Sequence, residues 1–255
     1  MAEFLVFTLW APMAAMGDVA VGERRVGGNR PARSAVLGLV AAAIGVERDD
    51  EAGLSALSDG YGMALLVERT GDLLQDYHST QIPKPGRHRR KATRCEELAD
   101  PKRLNTILTL REYRTDPWSS VALWARPSAP YPLGRLGEAL DRPRFTLYFG
   151  RKACPLGLPA SPKLLDAASV AEAFRVHDKA RPEAEREIRH RLRIRGPGRL
   201  YADADARSEG GPTLGGELAR IERRRDVAVN RRRWQFGMRD ELVARAGAAA
   251  PSGSG

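Results

Sequence analysis

The chain has 255 residues, 42% of them hydrophobic, and a formal net charge of +10 at pH 7. That length supplies a core for one large or two small domains, and the basic excess favours a polyanionic partner, of which nucleic acid is the commonest. Two cysteines, Cys95 and Cys154, far apart and without C-x-x-C spacing, exclude a disulfide framework and a structural zinc site and fit a cytoplasmic location.

Phe4 to Trp10 is a nearly continuous apolar run and predicts the first strand. Glu3, Pro12 and the lack of a basic start argue against a signal peptide in the stretch to Met16. A Gly-rich basic loop, Gly22 to Arg30, follows. Ser34 is placed to cap a helix that runs to about Ile44 and ends at Gly45. The apolar run Ala35 to Val46 is too short to cross a bilayer, so no membrane partner is expected. Cations ahead of free helical N–H groups make a place for phosphates, which nominates Arg25, Asn29, Arg30, Arg33 and Ser34 for RNA contact.

Asp49 to Leu57 reads as a second short helix and Tyr61 to Arg69 as a strand. From Asp76 to Arg114 the pattern becomes an outgoing arm, a basic tip between Lys84 and Arg94, and a returning strand, Thr106 to Tyr113. A connection this long predicts a protruding hairpin, a thumb at about 76–114. Its tip offers Arg87, Arg89, Arg90 and Lys91 to phosphates; a solvated loop has the same composition. Arg111 and Tyr113 share a face of the returning strand, a pairing of charge and stacking that suits single-stranded RNA and equally an exposed hairpin without a ligand.

Ser119 to Ala125 reads as a strand, Leu133 to Leu140 as a helix and Arg144 to Phe149 as a strand. Without the arm and the minor helix, the order strand, helix, strand, strand, helix, strand is that of a ferredoxin-like or RRM-like α+β unit, expected over 1–150. After Gly150 the chain turns Pro-rich. A short helix at Ser169 to Phe174, a basic edge strand at Arg186 to Arg195, a loop at Gly210 to Gly216 and the arginine-dense stretch Arg220 to Arg233 predict a smaller, irregular β-rich region over 151–240, with a flexible tail over 241–255. Trp234 and Phe236 are expected in the core, the arginines before them on RNA or protein. The four histidines lack metal spacing and there is no Walker loop or G-x-S-x-G, so neither metal nor cofactor is expected.

Four segments together resemble a known family. They are Ala11-Pro12-Met13 with Gly17; Pro31 to Leu39 followed by Gly45 to Asp50; Asp76-Tyr77-His78 with Thr106 to Tyr113; and Tyr148-Phe149-Gly150-Arg151-Lys152-Ala153-Cys154-Pro155-Leu156. They resemble, over Phe4 to Leu158 and more weakly near Trp234-Gln235-Phe236, the CasD-type subunits of type I-E CRISPR Cascade complexes, members of the RAMP superfamily. Met16 stands where an aromatic is usual, and Ala32 and Ala35 replace Thr and Gly. The resemblance implies a non-catalytic RNA-binding subunit that grips the 5′ handle of the CRISPR RNA in antiviral defence. It implies a cap on the backbone filament, contact with the filament and large subunits, and target DNA near the guide's 5′ end. It also brings Arg151 and Lys152 into the RNA-binding set. The rival reading is a metal-independent endoribonuclease that processes repeat RNA, with His78 or His88 as general base.

Overall fold

Successive residues from Phe4 to Leu9 turn to two different apolar environments, which places the first strand inside a sheet covered on both faces. The computed structural model describes residues 1–17, 22–84, 91–195, 198–207, 211–230, 233 and 235–245. In chain order the elements are β1 (Ala2–Trp10), β2 (Met13–Ala14), β3 (Arg24–Arg25), α1 (Arg33–Ile44), α2 (Glu51–Gly60), β4 (Tyr61–Arg69), β5 (Asp72–Pro83), α3 (Arg94–Leu98), β6 (Leu104–Thr115) and β7 (Trp118–Ala125). There follow α4 (Leu133–Asp141), β8 (Lys163–Ala167), α5 (Val170–Lys179), α6 (Glu183–Arg191), β9 (Arg199–Asp203), β10 (Leu218–Asn230) and β11 (Gln235–Arg245).

A seven-stranded sheet runs β10-β11-β9-β4-β7-β1-β8, antiparallel throughout. Its part β4-β7-β1-β8, with α1 between β1 and β4 and α4 between β7 and β8, has the connectivity of a ferredoxin-like unit. Leu5, Phe7 and Leu9 face a core built with Val36 and Val40 of α1, Leu57 of α2 and Leu136 of α4. Phe4 and Val6 face a second core with Val170 and Phe174 of α5. Burial on both faces is why β1 reads as a continuous apolar run instead of an alternation. Beside the second core lies a buried polar cluster. Arg181, between α5 and α6, donates to Thr8 at 3.1 Å, Glu185 at 3.0 Å, Ser120 at 3.0 Å and Glu68 at 2.9 Å.

Several elements differ from expectation. Arg144 to Phe149 is not the fourth strand. The N–H groups of Arg144 and Phe145 donate to the carbonyls of Ala43 and Ala42, so this segment closes the end of α1. The fourth strand is β8, beyond the prolines. Arg186 to Arg195 is not an edge strand: α6 covers most of it, with Glu183 and Glu185 in its first turn and Arg189, His190 and Arg191 in its last, each sign on the side the helix dipole favours. The C-terminal strands extend the same sheet across residue 150, and β10 and β11 pair with three register shifts along their length. Residues 241–245 are no tail, since Leu242, Val243 and Ala244 are core. Phe236 is only half-buried, and Trp234 and residues 246–255 lie outside the described residues.

Candidate nucleic-acid interface

β6 organises a second, smaller sheet. β5 pairs with it along one edge, from Asp72 opposite Thr115 to Pro83 opposite Leu104. β2 pairs with the other edge at Arg114 and Thr115, and β3 lies parallel to it there with Arg25 beside Arg111. Residues in register share a face. One face therefore carries Arg25, Arg111 and Tyr113, with Asp76 opposite Arg111 and His78 opposite Thr109.

A loop after α4 adds to this face. The N–H of Ala15 donates to Phe149 at 2.9 Å, that of Phe149 to Cys154 at 2.7 Å and that of Cys154 to Arg151 at 2.8 Å. Gly150 takes φ +90°, and a Cβ there would run into the Ala15 carbonyl, so glycine is required. The turn sets the Arg151 guanidinium 4.5 Å over the Tyr113 ring and leaves Lys152 exposed. Arg25 is exposed as well, its Nη1 donating to the Gly22 carbonyl at 2.5 Å. Burial pushes the Cys154 thiol above its ordinary range, against the pull of Arg151.

The Gly-rich loop is pinned to the opposite face. The Gly27 N–H donates to Glu112 at 2.9 Å, the Gly28 N–H to the Met16 carbonyl at 2.5 Å and Arg114 Nε to the Gly28 carbonyl at 3.2 Å. The Gly27 N–H, with smaller help from Gln75, holds the Glu112 carboxyl below its usual range.

Arg30 and Arg33 stand apart from this face, in a buried charge cluster that ties α1 to β9, β10 and β11. Arg33 is 4% exposed. Its Nε donates to Asp203 at 2.9 Å, its Nη2 to the carbonyls of Ser58 at 2.8 Å and Tyr61 at 2.7 Å, and its backbone N–H to Asp226 at 2.9 Å. Arg30 Nη2 donates to Glu241 at 2.6 Å and Glu222 at 2.8 Å, and its guanidinium lies 4.0 Å over Tyr201. Arg239 bridges Asp226 at 2.7 Å and Asp203 at 3.0 Å. Burial pushes the Asp226 carboxyl up, but Arg239 and the Arg33 N–H outweigh it, and the net direction is down.

The expectation of a phosphate site at the start of α1 is therefore corrected. Asp226 already supplies the anion that the helix N-terminus attracts, and Arg30 and Arg33 are turned to carboxylates of the same chain. Ser34 is not the cap: Ala32 holds that position without a side-chain bond, and Ser34 sits half-buried in the first turn. Asn29 is exposed and accepts from Arg30 Nη1 at 3.3 Å. Arg87, His88, Arg89 and Arg90 lie outside the described residues, and Lys91 is exposed.

Sequence reasoning missed the carboxylates of Asp203, Asp226 and Glu241. A signal was present for Asp226 alone, as an acid within the arginine-dense stretch Arg220 to Arg233. It also missed Arg24, which faces away from Arg25, in register with Leu110. His78 Nδ1 lies 3.5 Å from Asp76 Oδ2 at the surface. His177 is 1% exposed with both ring nitrogens unpartnered. Among the described residues no group of three His, Cys, Asp or Glu could hold a metal ion, and no helix is long and apolar enough to cross a membrane.

The CRISPR-associated protein family Cas_Cas5 matches residues 4–240. The CRISPR system Cascade subunit CasD of Escherichia coli strain K12 is 35% identical over 159 residues, which span 62% of this chain and 70% of that protein. A chain of a solved CRISPR RNA-guided surveillance complex superposes with a TM-score of 0.60 at 22% identity, covering 95% of this chain and 90% of the other. A crystal structure of a Cas protein gives 0.54 at 22% identity, covering 95% and 94%. At those identities the structural likeness speaks for the fold.

Proposed function

The chain belongs to the Cas5 family of CRISPR-associated proteins, and from that membership we propose that it is the Cascade subunit that grips the 5′ handle of the CRISPR RNA. In this reading it is a non-catalytic, cytoplasmic protein that caps the backbone filament, touches the filament and large subunits and stands near the target DNA at the guide's 5′ end. The observation that carries the reading is the convergence of Arg25, Arg111 and Arg151 from three separate chain segments on one face at the base of a long hairpin, with the exposed Lys152 next to Arg151 in the chain. Phosphates are held by such cations, and the hairpin, acting as a thumb, extends the reach of the surface along an irregular strand. Arg87, Arg89 and Arg90, which lie outside the described residues, and the exposed Lys91 are included in the RNA-binding set on their charge alone. Base sequence in the target is read by guide pairing, with protein holding the guide's backbone.

One observation favours a second reading. His78 and Asp76 form an exposed pair on the same face as Arg111, an arrangement that suits a general base beside a phosphate. A single experiment separates the two. The purified chain is incubated with repeat RNA and with a version scrambled in the handle, and binding and product length are read together. Retention of intact RNA with a preference for the native handle is expected. A discrete cut that vanishes in His78→Ala while binding persists would make the chain a ribonuclease.

A further inference from the structure

Tyr113 is 8% exposed, so in this state it offers no ring to a base. What lies over it is Arg151, at 4.5 Å. That covering side chain is itself poorly served: its Nη1 is buried without a hydrogen-bond partner. A guanidinium carries five donors, and one left unpaired away from water is costly. The ring also packs with Ala15 and Cys154, so its seat does not depend on the arginine. The loop that carries Arg151 is fixed by backbone bonds on both sides of it, so the side chain can move while the loop stays.

Resting on the function proposed above, we propose that Arg151 is a displaceable cover over Tyr113. A phosphate of single-stranded RNA draws the guanidinium outward, and the bared ring then stacks a nucleobase. Each contact given up is replaced by another. The cation–π contact gives way to base stacking, and the unpaired N–H gains a charge-assisted bond to phosphate. Arg25 and Arg111, on the same side of the sheet, and the exposed Lys152 next in the chain supply the field that brings the phosphate in. Duplex RNA has no free base face to offer the ring, so the exchange selects an unpaired strand.

Two readouts test it. With tetranitromethane, Tyr113 is expected to resist nitration in the free wild-type chain and to react in Arg151→Ala. With handle RNA carrying 5-iodouridine at each position in turn, irradiation is expected to join Tyr113 to the RNA at one position. Arg151→Ala should weaken binding roughly tenfold and reduce the salt slope by about 0.7. The proposal is overturned if the wild-type chain binds handle RNA and no position joins Tyr113, or if Arg151→Ala binds with an undiminished slope. Should Arg151→Ala not fold, Arg151→Lys keeps the charge but gives up the stacked plane. Raised nitration with a retained slope is then expected, and unchanged nitration refutes the cover. If the wild-type chain fails to bind handle RNA at all, the functional reading itself falls, and that is seen before any variant is made.

Discussion

Arginines of this chain divide by what they touch, and the division predicts opposite phenotypes. Arg33 is enclosed by Asp203, Asp226, Ser58 and Tyr61. Arg33→Ala takes one of its cations from the buried Asp203, which Arg239 still holds, and removes the donor that the buried Tyr61 carbonyl accepts from, and it is expected to cost about 3 kcal/mol, read as a lower midpoint in urea unfolding. Lys152→Ala touches no such network. It should leave that midpoint unchanged within about 0.5 kcal/mol while lowering the salt slope of RNA binding by about 0.7. A second residue-scale prediction concerns acid. Burial, and then the charge of Arg181, hold His177 down to about 3 against an ordinary 6.5. Between those values the unfolded chain binds a proton that the folded chain does not. Stability therefore falls as pH drops from about 6.5 toward 3, with a slope from this group of at most about 1.4 kcal/mol per pH unit. His177→Leu should flatten that limb of the pH–stability curve. Neither role was legible in sequence. Arg33 sits in a basic run that reads as a phosphate site, and its partners lie 170 and 193 residues away. Periodicity carries no information about which distant acid meets which arginine.

Strands and helices with a strong apolar period were legible: β1, α1, β4, β7 and α4 all lie where the pattern puts them. β8 was not, because Lys163–Ala167 is five residues long, follows three prolines and borders the sheet. α6 was misread because its arginines obscure a four-residue spacing between Ile188 and Leu192 that belongs to a helix. The hairpin of β5 and β6 was recognised by its returning strand, but its outgoing strand begins at Asp72, before the pattern changes. Among the candidate site's elements, the loop from Phe149 to Cys154 was identified by resemblance alone, and its geometry explains the glycine. Gly150→Ala forces a side chain into φ +90° and against the Ala15 carbonyl. A loss of about 2–4 kcal/mol is expected, measurable as a lowered thermal midpoint, together with weaker RNA binding because Arg151 is displaced.

Taken whole, the basic excess overstates how much cation faces outward. Arg30, Arg33, Arg126, Arg181 and Arg239 are each paired with carboxylates of the same chain. The pairing across β9, β10 and β11 makes the C-terminal hairpin part of the core. A chain ending before Leu218 should not unfold cooperatively, because it leaves Arg30 and Arg33 without Glu222, Glu241 and Asp226; circular dichroism during heating would check this. The bond between the Arg33 N–H and Asp226 bears on synthesis too. The ribosome delivers Arg33 long before Asp226. Until Asp226 arrives, the first helix lacks the carboxylate that the Arg33 N–H meets in the folded chain, and its open positive end is expected to attract polyanions such as cellular RNA. A chain stalled before residue 226 is expected to co-purify with RNA that the full chain sheds. Arrival of the last hairpin ends that stickiness, and Asp226 serves as the chain's own stand-in for a phosphate.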